Sequence, residues 1–167
     1  MHPATLDEAA LLRQCRLGKG RGSGPGGQHR NKVETLVSVS HVPTGLETHA
    51  GERRSAVENR QVAIRRMRLL LAVKVRAPVP IGEARSDLWR SRCSPDGRIA
   101  CNPDHRDFPA LLAEAMDMIA ACGLDMKRAS LRLCCSVSQL TKLLKDHPPA
   151  LEEVNRQRRE RGLHPLK

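Results

Sequence analysis

The sequence predicts an α+β chain in which a small mixed unit, built on a β-hairpin and one long helix, is followed by a small all-helical unit. Three observations carry that prediction. Val33, Thr35, Val37 and Val39 alternate with other residues on one face of an extended run rich in β-branched side chains. Val57, Ile64, Leu71 and Val75 then recur at near-heptad spacing, joined by Val62, Leu69 and Ala72. Beyond Pro78 and Pro80 the remaining strong patterns are helical. A length of 167 residues suits one ordinary domain or two small ones. Residues 1–76 form the expected first unit, 77–106 a connector containing a second hairpin, and 107–167 the helical unit.

In chain order, Thr5 with Glu8 three positions on has the spacing of a capping box and opens a short helix. Cys15 to Lys19 follows as a strand. After a glycine-rich stretch, Val33 to Ser40 and Leu46 to His49 pair across Pro43-Thr44-Gly45. A long helix runs from Ser55 to about Arg76, with Arg60, Arg65, Arg66 and Arg68 away from its apolar stripe. Leu88 to Cys93 and Arg98 to Cys101 flank Ser94-Pro95-Asp96-Gly97 as the arms of the second hairpin. Phe108, Leu111, Leu112, Ala115, Ile119 and Cys122 have helical spacing, closed by Gly123. Met126 to Leu133 and a helix after Ser136, which has Gln139 at the capping-box position, enclose a Cys134-Cys135 turn in the manner of a helix-turn-helix. That motif often has glycine in its turn, where this chain has Cys134. A last helix opens at Pro148-Pro149, runs from Ala150 to Arg161 and stops at Gly162.

The formal net charge is +11, and from Arg13 to Arg76 there are 14 Lys and Arg against 4 Glu. A polyanionic partner follows from such a balance, with salt-dependent affinity. Aromatic residues make up 1% of the chain, which argues against modules that bind RNA by stacking bases. The six cysteines lack the spacing of a secreted framework, and no run approaches the roughly 20 apolar residues of a membrane span. A reduced, cytoplasmic setting is expected. Cys93, Cys101 and His105 are too widely spaced for a compact zinc knuckle and lack a fourth ligand, so no metal site is expected.

Four glycines and a proline lie within the six residues from Gly22 to Gly27, followed by Gln28 inside a collar of Arg21, Arg30 and Lys32. Such a backbone approaches a ligand closely and offers N–H groups to phosphate or developing anionic charge. Gly22, Gly24 and Gly27 satisfy the dinucleotide fingerprint, yet no apolar strand precedes them and a strand rather than a helix follows. A phosphate-binding NTPase loop would need Gly-Lys-Ser/Thr at its end, which is absent.

The segment GSGPGGQHRNK, then His41-Val42-Pro43-Thr44-Gly45, then Glu52-Arg53-Arg54-Ser55 with Asn59, resembles the catalytic domain of class I peptide chain release factors and their ribosome-rescue relatives. Ala56 stands where those relatives usually carry Gln. The resemblance implies a mobile loop bearing the Gly-Gly-Gln triplet, ribosome-dependent hydrolysis of the peptidyl-tRNA ester and no cofactor. Gly26, Gly27 and Gln28 would be catalytic. Arg21, His29, Arg30, Asn31, Lys32, Arg53, Arg54, Arg60 and Arg65 would meet RNA, with His29 no general base. The implied partners are the peptidyl-transferase centre of 23S rRNA and peptidyl-tRNA, met by a monomer. Stop-codon-reading members carry a decoding domain ahead of the loop. Here about twenty residues precede it, which points to codon-independent release or rescue.

A different class keeps the chain as a non-enzymatic DNA- or RNA-binding protein, its helix-turn-helix presenting Ser138, Gln139, Lys142 and Lys145 to nucleic acid. A third is a ribosome-bound factor without hydrolysis.

Overall fold

The computed structural model describes residues 1–20 and 35–167. The expected loop, with Arg21, Gly26, Gly27, Gln28, His29, Arg30, Asn31 and Lys32, lies outside the described residues, as does the expected strand start at Val33. The chain divides into two compact units, Pro3–Leu71 and residues 72–167 with Met1–His2.

The first unit opens with a 3₁₀ turn, Pro3–Thr5, and helix α1, Glu8–Arg13. The helix cap is Asp7 and not the expected Thr5, which is taken up in the 3₁₀ turn. Asp7 Oδ1 accepts from Ala10 N at 2.7 Å, and its charge complements the positive end of the helix. Strands β1 (Cys15–Gly20), β2 (Leu36–His41) and β3 (Leu46–Ala50) make an antiparallel sheet in that order. Lys19, Val37 and Ala50 are cross-strand partners, as are Leu17, Val39 and Thr48. Val37, Val39, His41 and Ala50 are buried, so the alternation read in the sequence marks the covered face. The Pro43-Thr44-Gly45 turn joins β2 to β3, Gly45 taking φ 68°.

Helix α2, Ala56–Lys74, follows. Its buried seam in this unit is Asn59, Ala63, Met67 and Leu71, with Ile64 beside it. Val57, placed in the stripe by heptad spacing, is 68% exposed, because the seam advances in steps of four from a polar residue. Two of the arginines read as lying away from the apolar stripe are drawn onto the fold. Arg68 donates to Ala4 O at 3.0 Å and Leu6 O at 2.6 Å, and Arg66 donates to His49 O at 2.8 Å and to the Glu52 carboxylate.

The second unit takes the last turn of α2, then helices α3 (Asp87–Arg92), α4 (Phe108–Ala121), α5 (Met126–Arg132), α6 (Val137–Lys145) and α7 (Pro148–Glu160). Ten of the 14 residues of α4 are buried, which makes it the centre of the core. Asp117 on α4 accepts from Arg76 at 3.2 Å and from Ala77 N at 3.0 Å, tying down the chain where it leaves α2.

The second hairpin forms only as a single rung, Cys93 with Ile99, around the Ser94–Gly97 turn. Its first arm is instead α3. Ser86 Oγ accepts from Trp89 N at 3.0 Å and caps that helix, while Glu114 on α4 accepts from Ser86 N at 2.8 Å. Trp89 is fully buried and its indole N–H donates to Leu133 O at 2.9 Å, so the largest side chain of the segment is satisfied from a helix.

At the α5–α6 turn Cys134 has φ 51°, the left-handed conformation for which glycine is usual, so the chain makes the turn without the residue that favours it. Ser136 caps α6 by accepting from Gln139 N at 3.2 Å. The expected reciprocal half of the capping box is not made: Gln139 Oε1 accepts from Ile99 N at 3.2 Å, and Ser136 N donates to Gly97 O at 3.1 Å. Gly97 has φ 77°, and a Cβ there would stand 3.1 Å from Ser136 N, so the 93–99 turn reaches the α5–α6 turn through a residue that glycine suits.

Candidate functional site

Gly20 and Leu36, the ends of β1 and β2 that bracket the glycine-rich stretch, are Cα partners in the ladder. The segment between them therefore leaves and rejoins the sheet at one rung. Leu36 packs across Gly20 at the end of β1 and Gly51 just beyond β3: a Cβ on Gly20 would lie 3.2 Å from Leu36 Cδ2, and one on Gly51 would lie 2.9 Å from Cδ1. Close backbone approach is what these two glycines supply.

Behind that rung sits Asn59, fully buried on the first turns of α2. Its Nδ2 donates to Thr35 O at 2.6 Å and to Arg53 O at 3.0 Å, and its Oδ1 accepts from Arg53 N at 2.9 Å. One amide thus uses both donors and its acceptor, so burial leaves none of its polar atoms unsatisfied. The resemblance singled out Asn59 without giving it a task. A further signal was a polar residue at a position that belongs to the buried seam of an amphipathic helix.

Two further contacts stiffen this unit. His41 is 1% exposed; its Nε2 donates to Gln14 Oε1 at 3.0 Å and its Nδ1 accepts from Thr44 Oγ1 at 2.8 Å, linking the hairpin turn to the end of α1. Burial lowers the pKa of this ring, in keeping with a neutral imidazole that both donates and accepts. Thr48 Oγ1 donates to Ala63 O at 3.1 Å, a second tie between β3 and α2.

Of the cations expected to meet RNA, Arg53 and Arg54 are exposed on the turn that Asn59 holds. Arg60, on α2, lies 3.7 Å from Glu8. Arg65 is partly exposed on the same helix. Beside them the Glu52 carboxyl is pushed down to about 2 by its own backbone N–H, by Arg66 and by the N–H of Gly51, so that turn keeps one fixed negative charge among its arginines.

In the helical unit Ser138, Lys142 and Lys145 are exposed and, at spacings of four and three, share one face of α6. Lys142 Nζ is 2.6 Å from Asp146. Gln139 is drawn toward Ile99 as described, away from that stripe. Among the described residues no group of three or more His, Cys, Asp or Glu side chains is arranged to hold a metal ion, and no helix is long and apolar enough to cross a membrane.

Comparison with known proteins agrees with this geometry. Residues 13–87 match the RF-1 domain family. Among curated relatives, peptide chain release factor 1 of Nocardioides sp. is 37% identical over 97 aligned residues, covering 52% of this chain and 26% of the relative. The counterpart from Ureaplasma parvum is 40% identical over 82 residues, covering 42% and 23%. The mouse protein named peptide chain release factor 1-like, mitochondrial, is 29% identical over 143 residues, covering 79% of this chain and 38% of its own. The chain thus spans between 23% and 38% of the length of these relatives. The family match ends within α3, before the helical core around α4. Residues 13–87, which contain the paired rung, Asn59 and all of α2, are thus similar to the RF-1 domain found in peptide chain release factors.

Proposed function

We propose that this chain acts with the ribosome to hydrolyse the ester joining a nascent peptide to tRNA, independently of a stop codon, and so frees stalled ribosomes. The observation that carries the proposal is the position of GSGPGGQHRNK between the paired residues Gly20 and Leu36 of an RF-1 domain. Attack of water on the ester carbonyl builds negative charge on oxygen, and a backbone N–H stabilises that charge without a covalent nucleophile. The N–H of Gln28 takes that role, its side-chain amide selects water, and Gly26 and Gly27 give the backbone freedom to enter the peptidyl-transferase centre of 23S rRNA. No cofactor and no general base from the protein takes part. His29, Arg30, Asn31 and Lys32 together with Arg21, Arg53, Arg54, Arg60 and Arg65 brace the domain on rRNA phosphates. A monomer in the cytoplasm suffices for all of this.

A second contact is proposed for the helical unit. The exposed stripe of Ser138, Lys142 and Lys145 on α6 favours a nucleic-acid backbone over base readout, because Gln139 already serves Ile99.

The test is release of labelled peptide from ribosome complexes with and without mRNA in the A site. Gly27→Ala is expected to abolish release and Gln28→Ala to impair it, with faster release by the native chain when the A site holds no mRNA. Normal release by both variants overturns the proposed loop chemistry. Preferential binding of the chain to one DNA sequence would replace it with a regulator.

A further inference from the structure

The loop that the release reading depends on must arrive at a fixed place, and its exit end is held by one side chain. Thr35 is the last residue before β2, and its carbonyl receives the Asn59 amide at 2.6 Å, one residue from the Gly20–Leu36 rung. The same amide grips both backbone groups of Arg53, so the end of the loop and the Arg53 turn are locked to each other through a single buried residue on α2. Leu36, wedged against Gly20 and Gly51, holds the neighbouring rung from the outer face of the sheet. A residue needed only to fill the helix seam would be apolar, as Ala63, Met67 and Leu71 are. A buried amide placed there instead fixes direction and distance, which packing alone does not.

We infer that Asn59 is a positioning residue for the hydrolytic loop: it fixes Thr35, the residue through which that stretch rejoins the sheet, without touching substrate. This rests on the release reading above. Displacement of reacting groups by about 1 Å costs on the order of 100-fold in rate, so loosening this root should slow the chemical step more than ribosome binding.

The experiment measures peptide release at saturating and sub-saturating concentrations of the full chain, below the melting temperature of every variant. Four chains are compared with the native one: Asn59→Ala, the milder Asn59→Ser, Thr48→Val and Gly27→Ala. Thr48→Val removes a side-chain tie from β3 to α2 away from the loop end, and serves as the stability control. The expected result is a fall in the maximal release rate of about 10- to 100-fold for both Asn59 variants, with the half-saturating concentration within about 3-fold of native and Thr48→Val near native in both. Native maximal rates from the folded Asn59 variants, or losses that track melting temperature and are matched by Thr48→Val, overturn the positioning role while leaving the release reading intact. A native chain that releases nothing overturns the release reading and the positioning role with it. Release by native and Gly27→Ala chains alike overturns both.

Discussion

In the unit spanning Pro3–Leu71, the side chains that define geometry are polar: Asn59, His41, Thr48 and Arg68 each reach a named partner elsewhere in the unit. In the helical unit, α4 alone buries Phe108, Leu111, Leu112, Met116, Met118 and Ile119, and directed bonds such as Trp89 Nε1–H to Leu133 O and Arg76 to Asp117 are added to that apolar core. Directed bonds fix positions and fail sharply when a partner is lost, whereas apolar area stabilises without prescribing an angle. The unit bearing the glycine-rich stretch is therefore built for placement, and the other for mass of core.

The largest expected effect sharpens that contrast. Leu112→Ala empties space in a fully buried part of α4 and should cost the helical unit about 3 kcal/mol, while the Pro3–Leu71 unit keeps its own protection. Residue-resolved hydrogen exchange checks this: a uniform loss across both units would mean that they unfold as one. Next, Arg68→Met keeps the apolar stem but strips Ala4 O and Leu6 O of their donor, for an expected loss of about 2 kcal/mol in the first unit, read by the same exchange experiment.

Acid should loosen the two units at different anchors. The folded-state pKa of His41 is depressed by burial, so its contribution is complete above the ordinary histidine value of 6.5 and is lost as pH falls through the lower folded value. Exchange at the Val42 amide, which donates to Gln14 O beside that ring, should rise in step. Glu153 on α7 is held down to about 2, first by Arg156 and also by Gln157 and Lys74, against an ordinary value of 4.5. Its contribution is intact above 4.5 and fades between there and about 2, so α7 amides should loosen only in that lower range. Simultaneous loss at both anchors would erase the distinction. The smallest effect is a gain: Cys134→Gly relieves a left-handed non-glycine residue and should stabilise the helical unit by about 1 kcal/mol, seen as a rise in Tm.

Much of this was legible from residues. The strands at Val37 and Val39, the turn at Gly45, the extent of α2 and the order of the C-terminal helices follow from alternation, helical spacing and proline or glycine punctuation. What escaped depended on partners distant in sequence. Leu88 and Trp89 read as a strand until Glu114, 28 residues beyond Ser86, helped fix the start of α3. Gln139 read as a capping or recognition residue until Ile99, 40 positions away, claimed it. Val57 seemed to belong to the seam and Asn59 did not, because hydropathy cannot see that an amide finds three backbone partners. At the candidate site, motif and charge marked the glycine-rich stretch, while the bonds that hold its exit end needed the folded chain.

The shared rung of Gly20 and Leu36 makes the stretch between them a cassette with a fixed socket. Doubling the number of residues in such a closed excursion costs only about 0.6 kcal/mol in closure entropy. Its length can therefore drift in evolution or be rewritten by design while the sheet beneath stays as it is. Grafts of foreign sequence onto this rung would separate what the tip does from what the scaffold provides.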